Sequence, residues 1–372
     1  KYTDDNNSGY TQTEIIIPST ISYNGAEYTV TSIGSSAFYK NTTIESISIP
    51  NTVTTIGSTA FYYCNALVSV SMPDRLETMG TNAFYYCSSL KSVTIPEGLT
   101  TIKSYTFYNC ISLGEITIPS TVTTIENSAF YYCSSLTSIT IPENVTQIGN
   151  SVFAYCSSIP TFSIHANLTS IGTTAFRYCA SLQSIEVDEN NPNYCDVDGV
   201  LYSKDMKTVI CYPPNHDQYL RTKFGYETEP YRADATEEYI ADIQTYVVPA
   251  TVETIGQLAF AYTNLRNVYL PEGLKSIETL GFFKLHEPKD QWSNTPSLDN
   301  IYSYKMNEDV LSAEFFEIKD MYEVYLSLPE GLEYIGSDAI SYNQELPYVY
   351  IPSSVTYIGH HAFWDNLYEE GG

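Results

Sequence analysis

Apolar and polar positions along the chain recur with a fixed period of 23 residues. The repeated unit reads Pro-x-x-Val-x-x-Ile-Gly-x-x-Ala-Phe-x-x-Cys-x-x-Leu-x-x-Ile-x-Ile. Six cysteines mark it at the same position of successive units: Cys64, Cys87, Cys110, Cys133, Cys156 and Cys179. A period of about 20–50 residues is typical of a solenoid, in which each repeat buries its apolar face only by stacking on its neighbours. The pattern therefore predicts a stack of coils rather than a set of globular domains.

Each unit predicts one strand and one turn region. The residues before each proline, such as Ser92–Ile95 and Ser138–Ile141, alternate polar and β-branched side chains, which is the pattern of a half-buried strand. Proline then ends the strand because it has no N–H to donate. We expect equivalent strands to lie parallel, one coil apart. The glycines of the Ile-Gly pair are expected to adopt backbone conformations that other residues avoid: Gly57, Gly80, Gly149 and Gly172.

The repeat frame divides the chain into three regions. Residues 1–187 form regular coils, with a short insertion from Ser22 to Tyr28. Residues 188–246 break the period, and Asp198-Gly199 between two apolar runs predicts a hairpin there. Residues 247–372 resume the frame as irregular coils, with an insertion at about 283–322. We interpret both breaks as insertions on the solenoid.

The chain is strongly acidic, with a formal net charge of -26. Residues 1–180 carry 6 basic and 11 acidic residues, whereas residues 181–372 carry 11 basic and 32 acidic residues, a net charge of -21. Such a surface repels phosphate backbones and anionic lipids, which argues against nucleic-acid and membrane-surface partners. No apolar run is long enough to cross a bilayer, and the sequence as given shows no signal peptide.

The cysteines in the repeat are predicted to be buried, reduced thiols, since free cysteine behaves as a small apolar residue. Asn41 takes the same position in the first full coil and is expected to be buried as well. Cys195 and Cys211 lie outside the repeat, and the sequence leaves open whether they pair. It also leaves open whether the acidic insertions bind calcium, although Asp196–Gly199 fits a hairpin turn better than a calcium loop.

No constellation of catalytic residues is apparent. The five histidines are scattered, and the spacings typical of zinc sites and of nucleophile elbows are absent from the sequence. We therefore predict that the chain is not an enzyme and that it has no cofactor and no metal site.

Tyrosine is unusually abundant, with 35 residues. Many follow the repeated phenylalanine, so they predict either a packed aromatic ladder or an adhesive stripe. The outward strand positions of the early coils hold serine and threonine, whereas those of late coils hold tyrosine. The candidate partner-binding residues are Tyr269, Tyr325, Tyr348 and Tyr350.

The Ile-Pro, Ile-Gly-x-x-Ala-Phe and Cys-x-x-Leu elements at 23-residue spacing resemble the BspA-type leucine-rich repeats of bacterial surface proteins. The segment from Asn190 through Asp198-Gly199 to Pro214 resembles an insertion common in that family. The resemblance implies an α/β repeat solenoid: a right-handed leucine-rich-repeat superhelix with a continuous parallel sheet on one face and short turns, or 3-10 or helical turns, on the other.

For function, the resemblance implies a secreted or cell-surface adhesion or protein-protein interaction module of a host-associated bacterium. Its partners would be host or matrix proteins or other cells, bound by a monomer through the sheet face. A glycan-binding protein that uses exposed tyrosines and a structural spacer are the alternatives.

Overall fold

The computed structural model describes residues 12–223, 245–263, 265, 267–282, 300–306, 313–315, 326–341 and 349–364. The chain divides into two compact units. The first, the N-terminal unit, comprises Lys1–Ser181 and Val187–Pro192; the second, the C-terminal unit, comprises Leu182–Glu186 and Asn193–Gly372. The described residues form about 11 turns of parallel β-solenoid, distributed over the two units and almost without helix, which confirms the predicted fold.

The coils of the N-terminal unit are built from short strands that stack in register. In chain order the strands are β1 Glu14–Ile16, β2 Thr20–Tyr23, β3 Ala26–Thr29, β4 Ser32–Ile33, β5 Ser46–Ser48, β6 Thr55–Ile56, β7 Ser69–Ser71, β8 Thr78–Met79, β9 Ser92–Thr94, β10 Thr101–Ile102, β11 Glu115–Thr117, β12 Thr124–Ile125, β13 Gln147–Ile148, β14 Thr161–Ile164 and β15 Ser170–Ile171.

Two parallel ladders run through this unit. One holds the strands that precede the prolines, in the hydrogen-bonded segments β1-β5-β7 and β9-β11; the other holds the Thr-Ile strands, in the segments β4-β6-β8 and β10-β12-β13-β15. Ile47 lies opposite Val70, and Ile56 lies opposite Met79, so each apolar residue faces its equivalent one coil away. The insertion at Ser22–Tyr28 is the antiparallel hairpin β2-β3.

Ser138–Ile141, predicted as a strand, does not form one in the structure. Lys91 and Gly114 each donate a backbone hydrogen bond to the preceding coil, Lys91 to Val68 and Gly114 to Lys91. Two coils after Gly114 the equivalent residue is Pro160, which has no N–H and cannot donate this bond.

The side of each coil opposite the strands consists of short turns, which is one of the predicted alternatives. The residues with left-handed backbone in these turns are not the glycines that were expected. The N–H of Tyr62 donates to the carbonyl of Thr59, and that of Cys64 donates to the carbonyl of Phe61. Thr59 and Tyr63 have φ angles of 55° and 59°, and their equivalents in other coils are also left-handed. The expectation for the Ile-Gly glycines is wrong: in the described residues only Gly25 and Gly199 have positive φ.

Glycine is favoured at Gly57 and Gly149 for a different reason, although Lys103 and Glu126 hold the same slot in two coils. A Cβ added to Gly57 would lie 2.8 Å from the Cα of Ser35, and one added to Gly149 would lie 2.6 Å from the backbone nitrogen of Asn127. Real Cβ atoms do not approach backbone this closely. The absence of a side chain therefore lets successive coils stack closely at this turn.

The core of the N-terminal unit is a set of columns of identical side chains. Phe61 and Phe84 stack at 4.9 Å between ring centroids, and Phe107 and Phe130 stack at 5.6 Å; all four rings are fully buried. Burying a phenylalanine side chain contributes about 1.5–3 kcal/mol. Because every coil repeats this contribution, the unit needs no closed globular core.

The remaining elements continue the frame through the C-terminal unit. The strands are β16 Ser184–Val187, β17 Tyr194–Val197, β18 Val200–Ser203, β19 Thr208–Cys211, β20 Thr245–Val247, β21 Thr254–Ile255, β22 Asn267–Pro271, β23 Ser276–Ile277, β24 Asn300–Met306, β25 Ala313–Phe315, β26 Leu326–Ser327, β27 Tyr334–Ile335, β28 Val349–Tyr350 and β29 Tyr357–Ile358. One helix, α1, spans His216–Lys223 in the part of the chain that the structure describes.

Two sheets organise the C-terminal unit. The first has the order β17-β18-β19-β21-β23-β27-β29, antiparallel up to β19 and parallel from there. The second has the order β20-β22-β24-β26-β28, with β25 antiparallel to β24. The predicted hairpin is confirmed as β17-β18, and Asp198 and Gly199 have φ angles of 53° and 82° at its turn. Left-handed geometry at both positions matches the twist of the strands.

Candidate functional site

The outward face of the β20-β22-β24-β26-β28 sheet carries a row of apolar and aromatic residues. Val247 lies opposite Tyr269 in register, and Ser327 lies opposite Tyr350. Val247 is 40 % exposed and Tyr350 is 51 % exposed, whereas Val268 on the other face is fully buried. This alternation places the row on the solvent side of the sheet.

The middle of the row is defined by backbone register. Tyr269 lies opposite Tyr302 on β24. Ile301 lies opposite Leu326, so the next residues along, Tyr302 and Ser327, share the same row. By backbone register the row therefore runs across five adjacent strands: Val247, Tyr269, Tyr302, Ser327 and Tyr350. We call it the tyrosine row.

Two of the four predicted binding residues, Tyr269 and Tyr350, lie in the tyrosine row. Tyr325 and Tyr348 lie outside the described residues. Tyr302 was missed as a candidate because it follows an insertion that hides its place in the repeat. Tyr302 can be recognised only once the strands are aligned. It then lies one residue beyond Ile301, as Tyr269 lies one residue beyond Val268.

Tyr350 is held in place by an acidic neighbour. Its hydroxyl donates a hydrogen bond to Oε1 of Glu330 at 2.7 Å. The hydrogen bond to this carboxylate raises the pKa of Tyr350, so the phenol remains a neutral donor at physiological pH. The hydrogen bond fixes the hydroxyl of Tyr350, while half of its side chain remains exposed. Such a side chain offers a rigid amphipathic contact at low entropic cost.

The equivalent row of the N-terminal unit holds no tyrosine in the described residues. The residues two positions before the prolines of the repeat there are Ile16, Ser48, Ser71, Thr94, Thr117 and Thr140. Apart from Ile16, they have short hydroxyl side chains. The tyrosine row is therefore the distinctive part of the sheet faces that the structure describes.

A second row of the C-terminal unit alternates in charge. Lys207, Glu253, Lys275 and Glu333 follow one another across the coils, joined by backbone hydrogen bonds. Oε1 of Glu253 lies 2.6 Å from Nζ of Lys207, and Oε2 lies 2.6 Å from Nζ of Lys275. The hydrogen bonds from Lys207 and Lys275 lower the pKa of Glu253 to about 2. The charged row is not apparent from the sequence, because insertions separate Lys207 from Glu253 and Lys275 from Glu333.

The tyrosines of the N-terminal unit form the packed aromatic ladder that was one of the two interpretations. Tyr62 stacks on Tyr85 at 4.7 Å with 3° between planes, and Tyr63 stacks on Tyr86 at 4.5 Å with 4°. Parallel rings at this separation cover each other's faces. The ring faces that a sugar would contact are therefore covered within these stacks.

The cysteines are present as free thiols. The six of the repeat are buried, as predicted, and Cys195 and Cys211 are not joined in a disulfide. Asn41 is buried as expected. Among the described residues, no group of three or more His, Cys, Asp or Glu side chains is placed to hold a metal ion. In the same residues no helix is long and apolar enough to cross a membrane.

Comparisons with known proteins agree with this architecture. The family model described as BspA type leucine-rich repeat region matches residues 12–134, 80–196 and 238–369. A crystal structure of a leucine-rich cell surface protein from Faecalibacterium prausnitzii has 26% sequence identity, with a TM-score of 0.56, over 97% of this chain and 88% of that one.

The crystal structure of the pneumococcal vaccine antigen PcpA shows the same fold, with 21% identity and a TM-score of 0.56 over 94% of this chain and 69% of that one. No curated protein sequence matches the chain.

Proposed function

The chain belongs to the family of BspA-type leucine-rich repeat proteins, and from this premise we propose that it is a non-enzymatic adhesion or protein-protein interaction module at the surface of a bacterium. The similar structures support a surface role, because one is described as a cell surface protein and another as a vaccine antigen. The partner is a host or matrix protein or a surface protein of another cell, bound by a monomer.

One observation carries the proposal: by backbone register the tyrosine row extends across five strands of one sheet, and Val247 and Tyr350 at its two ends are exposed. Repeat proteins bind through the surface that successive coils present together. Tyrosine is enriched at the centres of binding surfaces because it combines apolar area with a hydrogen-bonding hydroxyl. The row therefore provides a contact surface for a protein partner.

Charge supports a basic partner. Residues 181–372 carry a net charge of -21, from 11 basic and 32 acidic residues. Glu330 lies directly beside the row, hydrogen-bonded to Tyr350, and Glu272 is exposed three residues after Tyr269. Complementary charge accelerates encounter and disfavours acidic competitors. Binding should weaken as salt is added, since the screening length is about 10 Å at 0.1 M.

A binding panel tests the proposal. The chain would be immobilised and probed with extracellular-matrix and host surface proteins and, in parallel, with a glycan array. Binding to a protein supports the proposal. Binding to glycans alone would favour the sugar-binding alternative, and the absence of binding in both arms would favour a structural spacer.

A variant pair locates the surface once a protein partner is found. Val247→Ser, Tyr269→Ser, Tyr302→Ser and Tyr350→Thr together replace the apolar and aromatic members of the tyrosine row with the serine and threonine that predominate in the N-terminal unit. The matched control, Ser71→Ala with Thr94→Ala, changes the equivalent positions there. We expect the first variant to lose at least about tenfold in affinity, as truncation of central aromatic contacts does. Loss of binding in the control alone would place the site in the N-terminal unit.

A further inference from the structure

Exposed tyrosines in both units are stacked face to face on a second tyrosine one coil away. Tyr39 stacks on Tyr62 at 5.0 Å with 8° between planes. Tyr132 stacks on Tyr155 at 5.0 Å with 21°. In the C-terminal unit, Tyr334 and Tyr357 lie opposite each other in register and stack at 4.8 Å with 5°. In each pair the two residues are separated by 23 positions.

One ring of every pair is accessible. Tyr39 is 47 % exposed, Tyr132 is 40 % exposed and Tyr357 is 50 % exposed. The six thiols of the repeat, which are otherwise the most readily oxidised groups, are buried. An oxidant that reaches these surfaces therefore meets phenol rings before it meets the repeat cysteines.

We propose that the pairs Tyr39–Tyr62, Tyr132–Tyr155 and Tyr334–Tyr357 are sites of oxidative tyrosine coupling, in which a carbon-carbon bond between the two rings staples adjacent coils. The stacked coils hold the two residues of a pair about one interstrand spacing apart, about 4.8 Å. Tyr334 and Tyr357 lie on paired strands, and the other two pairs lie in the turns. Each ring therefore has its reaction partner beside it at all times. Holding two reactants together in this way converts an encounter between molecules into an intramolecular step.

The reaction balances with a peroxide and a haem peroxidase as the oxidant. Each phenol loses one electron and one proton to give a phenoxyl radical. The two radicals join through the ring carbons ortho to oxygen, and the hydrogens on those carbons move to the oxygens as the rings become aromatic again. The two electrons and two protons reduce one hydrogen peroxide to two waters.

A link of this kind would serve the fold as a disulfide serves other extracellular proteins. A covalent bond between residues distant in sequence restricts the unfolded chain and so stabilises the native state. The repeat cysteines cannot provide it, because each thiol is buried and donates to a backbone carbonyl of the preceding coil, as Cys87 does to Phe61. The tyrosine pairs, in contrast, lie at the surface and already face each other.

Peptide mapping by mass spectrometry tests the proposal after treatment of the full chain with peroxidase and hydrogen peroxide. We expect monomers that have lost two hydrogens per link, with links between residues 23 positions apart at the three named pairs. The yield should not depend on protein concentration. Free tyrosine, treated in parallel, confirms that the oxidant is active.

Phenylalanine variants provide the matched control. Tyr62→Phe, Tyr155→Phe and Tyr334→Phe keep a ring in each stack but remove one phenol from each pair, and thermal denaturation checks that the variant is folded. We expect the links at all three pairs to be lost, and the increase in Tm that coupling gives the wild-type chain to be lost with them. The proposal is overturned if the wild-type chain couples only between molecules, if its links ignore the 23-residue spacing, or if it does not couple while free tyrosine does.

Discussion

The Sγ of Cys87 donates a hydrogen bond to the backbone carbonyl oxygen of Phe61, 3.2 Å away and 26 residues earlier in the chain. The same bond recurs in the next coil, from Cys110 to Phe84 at 3.2 Å, and it begins with Cys64 and Phe38 at 3.0 Å. The cysteine ladder therefore satisfies a carbonyl of the preceding coil at every step. This role explains why a weak donor of small volume is repeated at this position.

The first prediction concerns thiol reactivity. Burial raises the pKa of Cys64 to about 12 and that of Cys87 well above its usual range, so the reactive thiolate form is suppressed. Native protein should leave the six repeat thiols unmodified by a maleimide reagent, and denatured protein should expose them. Intact-mass measurement before and after urea gives the count. A disulfide among the six would contradict the ladder.

The second prediction concerns the glycine of the Ile-Gly pair. Gly149→Ala places a methyl group against the backbone of Asn127 and should destabilise the chain by roughly 1–3 kcal/mol, the range for overpacking. Gly34→Ala is the matched control, because no atom lies within 4 Å of its added Cβ. It should be neutral or slightly stabilising through the unfolded state. Urea denaturation measures the free energy of unfolding of both variants. An equal loss in the two would show that close stacking of the coils does not explain the glycine at this position.

The third prediction concerns Asn41, which takes the cysteine position in the first full coil. Its Oδ1 accepts hydrogen bonds from the N–H of Thr43 at 3.0 Å, the hydroxyl of Thr43 at 3.1 Å and the N–H of Ile44 at 3.0 Å. Asn41→Ala leaves these donors unpaired and should cost about 1–3 kcal/mol. Asn41→Asp keeps the acceptor and should cost less. Equal losses of unfolding free energy in the two variants would contradict this assignment.

The repeat made most of the fold predictable from sequence. The spacing of Cys64 and Cys87 gives the coil length directly. Asp198-Gly199 predicts the hairpin because only a few residue types tolerate left-handed backbone. Tyr63 does not follow that rule. It is left-handed at φ 59° although tyrosine disfavours this region, because its N–H is held by the carbonyl of Tyr85 at 2.7 Å in the next coil. Such contacts between coils override local preference.

The candidate surface was only partly predictable for a similar reason. Tyr269 and Tyr350 keep their places before prolines, so the repeat frame points to them. Tyr302 has no proline after it at the repeat distance, and its place depends on strand pairing across an insertion. Lys207 and Glu253 are neighbours in space but 46 residues apart in sequence. That separation is two repeat lengths, although the two residues lie in adjacent coils, so the 23-residue period does not pair them.

The last prediction concerns the charged row. Glu253 contacts Lys207 and Lys275 through separate carboxylate oxygens, each at 2.6 Å, and these bonds hold its pKa at about 2. A lowered carboxylate pKa means that the stabilising contribution is present above the unfolded value, about 4.3. This contribution to the free energy of unfolding is lost as the pH falls from the unfolded pKa through about 2. NMR titration of the Glu253 carboxyl carbon should show this low pKa, and added salt should raise it.

Variants separate the two lysines. Lys207→Met and Lys275→Met should each raise the pKa of Glu253 by on the order of 1 unit, because each removes one opposite charge and one hydrogen bond. The double variant should return the carboxyl close to its ordinary range. Lys91→Met, an exposed lysine of the N-terminal unit, is the control and should leave Glu253 unchanged. If Glu253 keeps its low pKa in the double variant, the alternating lysines and glutamates are not what holds its charge.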